Sequence, residues 1–427
     1  MTAERNQGQE RPVRRTSIIG RKSAGGVAAA SVIAAASSYL VLMISARALG
    51  HADNAEFLAF WALMFCAFGI TTGLQPEFTR HTLLSRSDPD ATEGRGWRLG
   101  AVALGFGALV GLLVMASSPF WSTAILGREG QLLALFCAAG LVGHALQMGL
   151  TGTLAGSQRW NEYSLLIATE ALARLGLVGL VLLLLPTVEG FAAASAAATF
   201  VSVLSLGASP SVRRAFALRS SLFPRPLVTG IVHAATSTVS SAILVVGFPV
   251  LLRLTTSAEE YLTTAPLLMA TALTRAPLMV PLMTYQSVAV AHFMNNRHRG
   301  LRALWPIARI IGVVGVVGAV LAAWFGSPLM EFLLGPGYRL GWLTFAGLTL
   351  GAALLATLSL SGALAAALGR HLVYSSGWLS ATALAVMLLL TPFDAEIRTL
   401  LALLLGPALG ITVHVVSLGR THLKLGI

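Results

Sequence analysis

The sequence predicts an all-α, polytopic membrane protein with about twelve transmembrane helices. Of its 427 residues, 56% are hydrophobic and 11% are charged, whereas soluble domains are about 25% charged. The mean hydropathy is +0.77, and apolar runs of the ~20 residues that a membrane-spanning helix needs recur along the chain. Since no soluble domain of this size could bury so much apolar surface, the chain is expected to lie largely in lipid.

Twelve helices follow in order from these apolar runs and from the polar or proline-containing breaks between them. A polar and basic segment at residues 1–23 is expected to form a tail before the first helix. Ser118-Pro119 is expected to end the third helix and Pro186 the fifth. The predicted helices cover roughly residues 24–48, 56–75, 97–118, 131–156, 162–185, 189–207, 227–252, 260–291, 304–326, 341–366, 372–391 and 396–418.

The distribution of basic residues predicts how these helices are oriented. Arginine and lysine concentrate in the N-terminal tail and in alternate connections, notably the segments 80–98 and 209–225. Because basic loops remain on the cytoplasmic side, both termini are predicted to be cytoplasmic in a protein of the inner or plasma membrane. The net charge of +12 therefore indicates contact with anionic membrane lipids and no nucleic-acid partner.

The two halves of the sequence resemble each other six helices apart. Ser37-Ser38 in the first predicted helix matches Ser240-Ser241 in the seventh, and Gly152-Thr-Leu154 in the fourth matches Gly362-Ala-Leu364 in the tenth. Repeats of six crossings must be parallel, related by a pseudo-two-fold axis along the membrane normal. We therefore predict two six-helix lobes around a central cavity, with an N-lobe at 24–208, a cytoplasmic connector at 209–225, a C-lobe at 226–419 and a cytoplasmic tail at 420–427.

The eighth predicted helix carries a cation that lipid does not tolerate. Arg275 lies near the midpoint of residues 261–290, and no acidic residue follows Glu260 in that segment. A guanidinium at the bilayer centre costs about 2.5–3.5 kcal/mol. Arg275 should therefore face the bundle interior or a water-filled cavity and bind an anion there. A carboxylate or carbonyl on a neighbouring helix is the alternative partner.

Four further groups lie at membrane depth. Glu170 and Arg174 stand one helical turn apart, so they can pair on one face of the fifth helix. The pair is either self-neutralised, or it supplies Arg174 as a second anion ligand and Glu170 as a group that takes up protons. His144 in the fourth helix and His233 in the seventh could also sense protons, although a lone buried histidine more often makes a hydrogen bond between helices.

Two arginines near the predicted outer ends of helices, Arg47 and Arg253, have two interpretations. Their long side chains either reach the membrane interface or flank a cavity that opens outward.

Enzymatic activity is not predicted. The sequence contains neither a phosphate-binding GxxxxGK[ST] loop nor an HExxH motif, and Cys66 and Cys137 stand in apolar runs without a Cys/His cluster. A glycosyltransferase that uses lipid-linked donors needs acidic residues in a large outer loop, whereas the predicted outer loops are short. No metal and no cofactor are predicted.

Four stretches resemble the polysaccharide-biosynthesis flippases. They are Arg47-Ala-Leu-Gly50, Gly152-Thr-Leu-Ala-Gly156-Ser-Gln-Arg159, Leu273-Thr-Arg275-Ala-Pro277 and Leu334-Gly335-Pro-Gly-Tyr338. The similarity covers nearly the whole chain, as a pattern without a strict signature. On these stretches the chain resembles the oligosaccharidyl-lipid branch of the multidrug/oligosaccharidyl-lipid/polysaccharide (MOP) exporter superfamily, of which O-antigen flippases are the type.

This resemblance implies alternating access and transfer of a polyprenyl-diphosphate-linked oligosaccharide from the inner to the outer leaflet. In the lipid II branch, cavity arginines on helices 1, 2 and 8 meet the diphosphate. Arg275 matches the arginine of helix 8, Arg47 loosely matches that of helix 1, and helix 2 has no such arginine here. A coupling ion, H⁺ or Na⁺, and polysaccharide polymerase or glycosyltransferase partners are expected. The alternatives are a cation or drug antiporter of the same fold and a membrane glycosyltransferase.

Overall fold

The computed structural model describes residues 21–87, 97–219, 224–295 and 297–424. This part of the chain is almost entirely helical, and eleven of its helices are long and apolar enough to cross a membrane. The seventh predicted crossing, at 227–252, is not among these eleven and corresponds to a serine- and threonine-rich helix, Pro224–Val245, followed by a short one. Most of the predicted N-terminal tail lies outside the described residues.

Seventeen α-helices follow one another in the described residues. They are α1 Arg21–Ala48, α2 His51–Thr72, α3 Leu74–Ser87, α4 Leu99–Leu126, α5 Gly130–Gly156, α6 Trp160–Leu184, α7 Val188–Ala197, α8 Val201–Ala208, α9 Pro210–Ala217, α10 Pro224–Val245, α11 Phe248–Thr255, α12 Ala258–Leu262, α13 Ala265–Asn295, α14 Trp305–Leu334, α15 Trp342–Ala367, α16 His371–Leu389 and α17 Ala395–Lys424. Short 3₁₀ segments at Ala198–Phe200 and Arg297–Ala303 precede α8 and α14.

The prediction that Ser118-Pro119 ends the third helix is wrong, because α4 continues to Leu126. Pro119 has no N–H to donate to the carbonyl of Met115, four residues earlier. The Ser118 hydroxyl donates to that carbonyl instead, over 2.8 Å. The freed acceptor is thereby satisfied within the helix, so the helix does not have to end.

Three other predicted boundaries move. The second predicted helix is longer than expected, since α2 and α3 together reach Ser87, so Arg80 stands on a helix and not in a loop. A helix, α9, occupies much of the connector at 209–225. The ninth helix, α14, passes residue 326 and reaches Leu334.

The helices of the two halves pack in equivalent pairs, as a parallel repeat requires. In the first half α4 packs on α5, α1 on α6, α3 on α5 and α5 on α7. The corresponding pairs in the second half, six crossings later, are α14 with α15, α10 with α16, α13 with α15 and α15 with α17. The structure therefore confirms an architecture of two similar six-helix lobes.

Hydrogen bonds join the lobes at one end of the helices. This end, the predicted outer end, comprises the turns at 49–50, 127–129, 256–264, 335–341 and 390–394. Asn54 of α2 donates a 2.9 Å hydrogen bond to the Tyr338 hydroxyl, and the Tyr261 hydroxyl donates a 3.2 Å bond to the Ala55 carbonyl. Asn54, Tyr338 and Tyr261 are all buried. The lobes therefore meet in a packed, hydrogen-bonded contact at the predicted outer end.

Candidate functional site

A system of three adjoining chambers lies between the two lobes. The chambers measure about 270, 370 and 570 Å³, and we name them after Arg275, Glu170 and Trp378, which line them respectively. Phe65 of α2 lines all three. Walls come from α1 and α2 in the first lobe and from α10 and α13 in the second, so the cavity lies where an alternating-access transporter holds its cargo.

Arg275 of α13 lies in the wall of the Arg275 chamber with 9% of its surface exposed. Its Nη1 donates a 2.8 Å hydrogen bond to the Val245 carbonyl, and its guanidinium carbon lies 5.6 Å from the centre of the Phe248 ring. Its Nη2 has no hydrogen-bond partner among the described residues, where no acidic side chain forms an ion pair with it. One arm of the guanidinium is therefore anchored to a carbonyl, whereas the other is buried without a hydrogen-bond partner among the described residues.

The carbonyl that anchors Arg275 has no partner within its own helix because of a proline in the seventh crossing. In a continuous helix the carbonyl of Val245 would accept a hydrogen bond from residue 249, but Pro249 has no N–H. The helix is interrupted at Val246-Gly247, between α10 and α11. Arg275 donates to the orphan carbonyl at the C-terminal end of α10, where the helix dipole also favours a cation. The break in α10–α11 thus positions the guanidinium in the chamber wall.

Glu170 and Arg174 of α6 form the ion pair that their spacing predicts. Both are buried, and both line the Glu170 chamber. The Arg174 guanidinium carbon lies 5.1 Å from the centre of the Phe65 ring and 5.8 Å from that of Trp61, and its Nε has no partner among the described residues. Arg174 is therefore paired with Glu170, while one of its donors has no partner among the described residues.

His144 of α5 lines the Glu170 and Trp378 chambers. Its Nδ1 lies 2.6 Å from the Thr71 hydroxyl, and its ring stacks on Phe68 with centroids 4.1 Å apart. This is the interhelix hydrogen bond that the sequence raised as the alternative to proton sensing. His233 lies on α10, and its side chain is outside the described part of the structure.

Arg47 does not join the other two predicted anion ligands. Its Nε and Nη2 each donate a 2.5 Å hydrogen bond, to the carbonyls of Leu333 and Phe332 at the end of α14. Among the described cavity residues it lines none of the three chambers. The structure thus places Arg47 at the predicted outer end of the lobe contact, where it satisfies carbonyls of a helix terminus that have no intrahelical partner.

Sequence reasoning missed the aromatic groups of the cavity. Trp61 and Phe65 stand one turn apart on α2, and Tyr39 of α1 lines the Arg275 chamber with them. A run of aromatic residues at helical spacing in α2 was a visible signal, but such a stripe is ordinary in a buried helix. The pairing of Arg398 with Glu260 was also missed. Arg398 is buried on α17, and it donates to both oxygens of the Glu260 carboxylate.

Comparison with known proteins identifies relatives over almost the whole chain. No family model matches the sequence. The uncharacterized protein Rv1510 of Mycobacterium tuberculosis is 37% identical over 406 residues, which are 95% of this chain and 93% of that protein. A second uncharacterized protein of the same species, Rv3630, is 35% identical over 93% of this chain and 92% of its own length. The chain belongs to the family of Rv1510 and Rv3630.

Solved structures show the fold of this Rv1510/Rv3630 family member. A MOP superfamily transporter from Pyrococcus furiosus, described as having a binding pocket of reversed polarity that suggests a different function, is similar with a TM-score of 0.67 at 12% identity, covering 94% of this chain and 97% of that one. An inward-facing multidrug resistance MATE family transporter of the same superfamily gives 0.66 at 13% identity, covering 90% and 94%. The eukaryotic MATE transporter AtDTX14 gives 0.64 at 17% identity, covering 94% and 95%. The protein is thus a multi-pass membrane protein with the fold of MOP superfamily transporters, as the sequence resemblance implied at the superfamily level.

Proposed function

We propose that this protein is a flippase that moves a polyprenyl-diphosphate-linked oligosaccharide between leaflets by alternating access, with Arg275 as the principal ligand of the diphosphate. The observation that carries the proposal is the Nη2 of Arg275, which is buried in the wall of a cavity between the lobes without a partner among the described residues. Burying a cation there costs free energy unless an anion binds to it.

The chemistry of a diphosphate fits the two arginines of the cavity. Its oxygens accept short, charge-assisted hydrogen bonds from guanidinium groups, which are stronger in a low-dielectric cavity than in water. Arg275 supplies one donor arm, and Arg174 in the adjoining chamber supplies its unpaired Nε. The sugars would occupy the larger Trp378 chamber, while the polyprenyl tail stays in lipid.

Coupling to an ion gradient would use the Glu170 chamber. Glu170 is an acidic side chain that lines this chamber, and His144 lies in the same wall. Protonation of Glu170 would release Arg174 from its ion pair and so alter the cation available to the diphosphate. This mechanism links uptake of H⁺ to binding of cargo through one helix, α6.

A drug or cation antiporter is the second candidate, because this protein has a fold similar to that of a multidrug MATE transporter. A cationic drug requires an unpaired acidic group in the cavity, whereas Glu170 is bound to Arg174. The fold does not itself fix the charge of the cargo, since the P. furiosus transporter is described with a pocket of reversed polarity. We therefore rank the flippase first.

Transport by purified protein in proteoliposomes tests the proposal. The probe is a fluorescent polyprenyl-diphosphate oligosaccharide, whose accessibility to dithionite changes when it is flipped. Ethidium efflux tests the antiporter in parallel. We expect the wild type to flip the lipid and not to export ethidium. Arg275→Ala should lower flipping by at least about tenfold, since a charge-assisted hydrogen bond contributes about 1.5–3 kcal/mol. Arg275→Lys should recover only part, because an ammonium cannot donate in the planar geometry of a guanidinium.

The matched control is Arg309→Ala on α14, which removes an exposed arginine. It should leave flipping unchanged, and all variants should elute as monodisperse protein. Normal flipping by Arg275→Ala would remove Arg275 from the mechanism. Ethidium export without lipid flipping would replace the flippase by the antiporter.

A further inference from the structure

A groove outside the central cavity runs between α4 of the first lobe and α10 of the second. It has a volume of about 590 Å³, within the range of small-molecule sites. Its walls are apolar along the helices and its described lining contains no acidic residue. The lining includes Trp97, Arg98, Val102, Phe106, Leu109 and Arg219.

Two arginines are held together at one end of this groove. Arg98 and Arg219 face each other in an antiparallel backbone bridge, and the N–H of Leu99 donates a 2.8 Å hydrogen bond to the Leu218 carbonyl. Phe216 packs so closely on Gly100 that a Cβ there would lie 2.5 Å from its Cδ1 atom. The fold thus places the backbones of the two arginines side by side, and both residues line this end of the groove.

The same end of the groove has the composition of a membrane interface. Trp97 is 53% exposed beside the arginines, and tryptophan favours the headgroup region. By the distribution of basic residues, this end is the cytoplasmic one, where the leaflet carries anionic lipids. The groove therefore presents cations and a tryptophan at headgroup level and an apolar channel at acyl-chain depth.

We propose that the groove between α4 and α10 binds an anionic membrane phospholipid, with the phosphate at Arg98 and Arg219 and one acyl chain along Val102, Phe106 and Leu109. The charge of one end and the apolar character of the rest match the two parts of such a lipid. Because the groove lies between the lobes, a lipid in it contacts both of them. This site is independent of the cargo carried in the central cavity.

Lipid binding to the full-length protein tests the proposal. The purified protein is titrated with phosphatidylglycerol or phosphatidylcholine, and bound lipid is counted by native mass spectrometry. We expect one site that prefers phosphatidylglycerol by about tenfold, the ratio given by one well-formed charge-assisted contact. The double substitution Arg98→Gln/Arg219→Gln should abolish this preference, whereas Arg213→Gln/Arg214→Gln, which removes the same charge from exposed positions on α9, should retain it.

Filling the groove provides a second variant. A Cβ at Gly105 meets no heavy atom within 4 Å, so Gly105→Leu can occupy the groove without displacing the backbone. It should weaken binding of phosphatidylglycerol at this site, while Gly176→Leu on α6, where there is equal space, should not. Equal affinity for the two phospholipids, or unchanged binding in both groove variants, would overturn the proposal. Displacement of phosphatidylglycerol by an equimolar polyprenyl diphosphate would assign the groove to the transported lipid and overturn it as well.

Discussion

Arg47 and Arg253 hold equivalent places in the two lobes, and each donates to a backbone carbonyl at the end of the third crossing of the opposite lobe. Arg47, at the end of α1, donates over 2.5 Å to carbonyls of Phe332 and Leu333 in the last turn of α14. Arg253, on α11, donates over 3.1 Å to the Ala124 carbonyl near the end of α4. These carbonyls lack an intrahelical partner and stand at the negative end of a helix dipole. Two arginines related by the repeat thus form hydrogen bonds between the lobes at the predicted outer end.

Removing the hydrogen bonds of both arginines should favour the state in which the lobes separate at this end. A hydrogen bond to a charged group contributes about 1.5–3 kcal/mol when shielded, and less for an exposed group such as Arg47. We expect Arg47→Gln/Arg253→Gln to raise the population of the separated state about tenfold, equivalent to about 1.4 kcal/mol. Electron paramagnetic resonance distances between spin labels at Glu129 and Glu259 should report the change.

The control is Arg339→Gln, at the same end. Arg339 is exposed and pairs with Glu331 of its own lobe, so its loss should leave the distance distribution unchanged. Identical distributions in the wild type and the double variant would show that the two arginines do not hold the lobes together.

The buried bond from Asn54 to Tyr338 should contribute to the same contact. Tyr338→Phe would leave the Asn54 amide donor buried without an acceptor, which costs about 1–3 kcal/mol. We expect a lower thermal midpoint and a shift of the label distances in the direction seen for the arginine variant. Asn54→Ala combined with Tyr338→Phe should be less damaging than the sum of the single changes, because the pair is lost together.

Ionisation of Tyr338 should also weaken the contact between the lobes at high pH. Burial raises the pKa of the Tyr338 hydroxyl from 10.0 to about 12, although the hydrogen bond from Asn54 acts the other way. Because the raised pKa favours the neutral form in the folded state, the contribution to stability is complete below about pH 10 and is lost as the pH rises through about 12. The tyrosinate difference spectrum of wild type against Tyr338→Phe should show this late titration, and a component near pH 10 would contradict it.

Glu170→Gln should remove the pH dependence of lipid flipping, since the amide cannot take up a proton. It should also lower thermal stability, because removing one partner of a buried ion pair costs about 3–5 kcal/mol. Glu170→Gln/Arg174→Gln should recover part of that stability. Glu162→Gln, near the start of the same helix and 3.9 Å from Arg159, is the matched change and should keep the wild-type pH profile. A pH profile that Glu170→Gln leaves intact would exclude Glu170 from coupling.

Arg398 should be a major source of stability in the second lobe. It donates to the carbonyls of Thr255 and Leu389 and to both carboxylate oxygens of Glu260, and so ties together the ends of α11, α12 and α16. Arg398→Ala should lower the free energy of unfolding by about 1–3 kcal/mol, because the carbonyls of Thr255 and Leu389 lose a donor while the Glu260 carboxylate is 39% exposed and can be hydrated. Arg339→Ala, which breaks an exposed pair, should change it by about 0–1 kcal/mol. Equal effects of the two variants on the thermal midpoint would contradict this assignment.

The class of the protein and the order of its crossings could be predicted from the apolar runs of the sequence alone. A 20-residue apolar run has few physical alternatives to a membrane helix, because lipid offers no partner to backbone groups. The repeat of six crossings and the position of Arg275 within an apolar segment could also be predicted, since both depend only on position along the chain. Boundaries were less secure where a side chain could replace a lost backbone donor, as Ser118 does before Pro119.

Which charged groups pair with one another could not be predicted without the packing of the helices. Arg47 and Arg275 were both candidate ligands of the diphosphate in the sequence, yet Arg47 reaches helix-end carbonyls on the opposite lobe and Arg275 lies in the cavity wall. The anchor of Arg275 is a carbonyl of another crossing, released by Pro249, and the partner of Arg398 lies 138 residues away along the chain. Hydrogen bonds act over about 3 Å and depend on direction, so the partners of these arginines follow from how the helices pack and not from their spacing in the sequence.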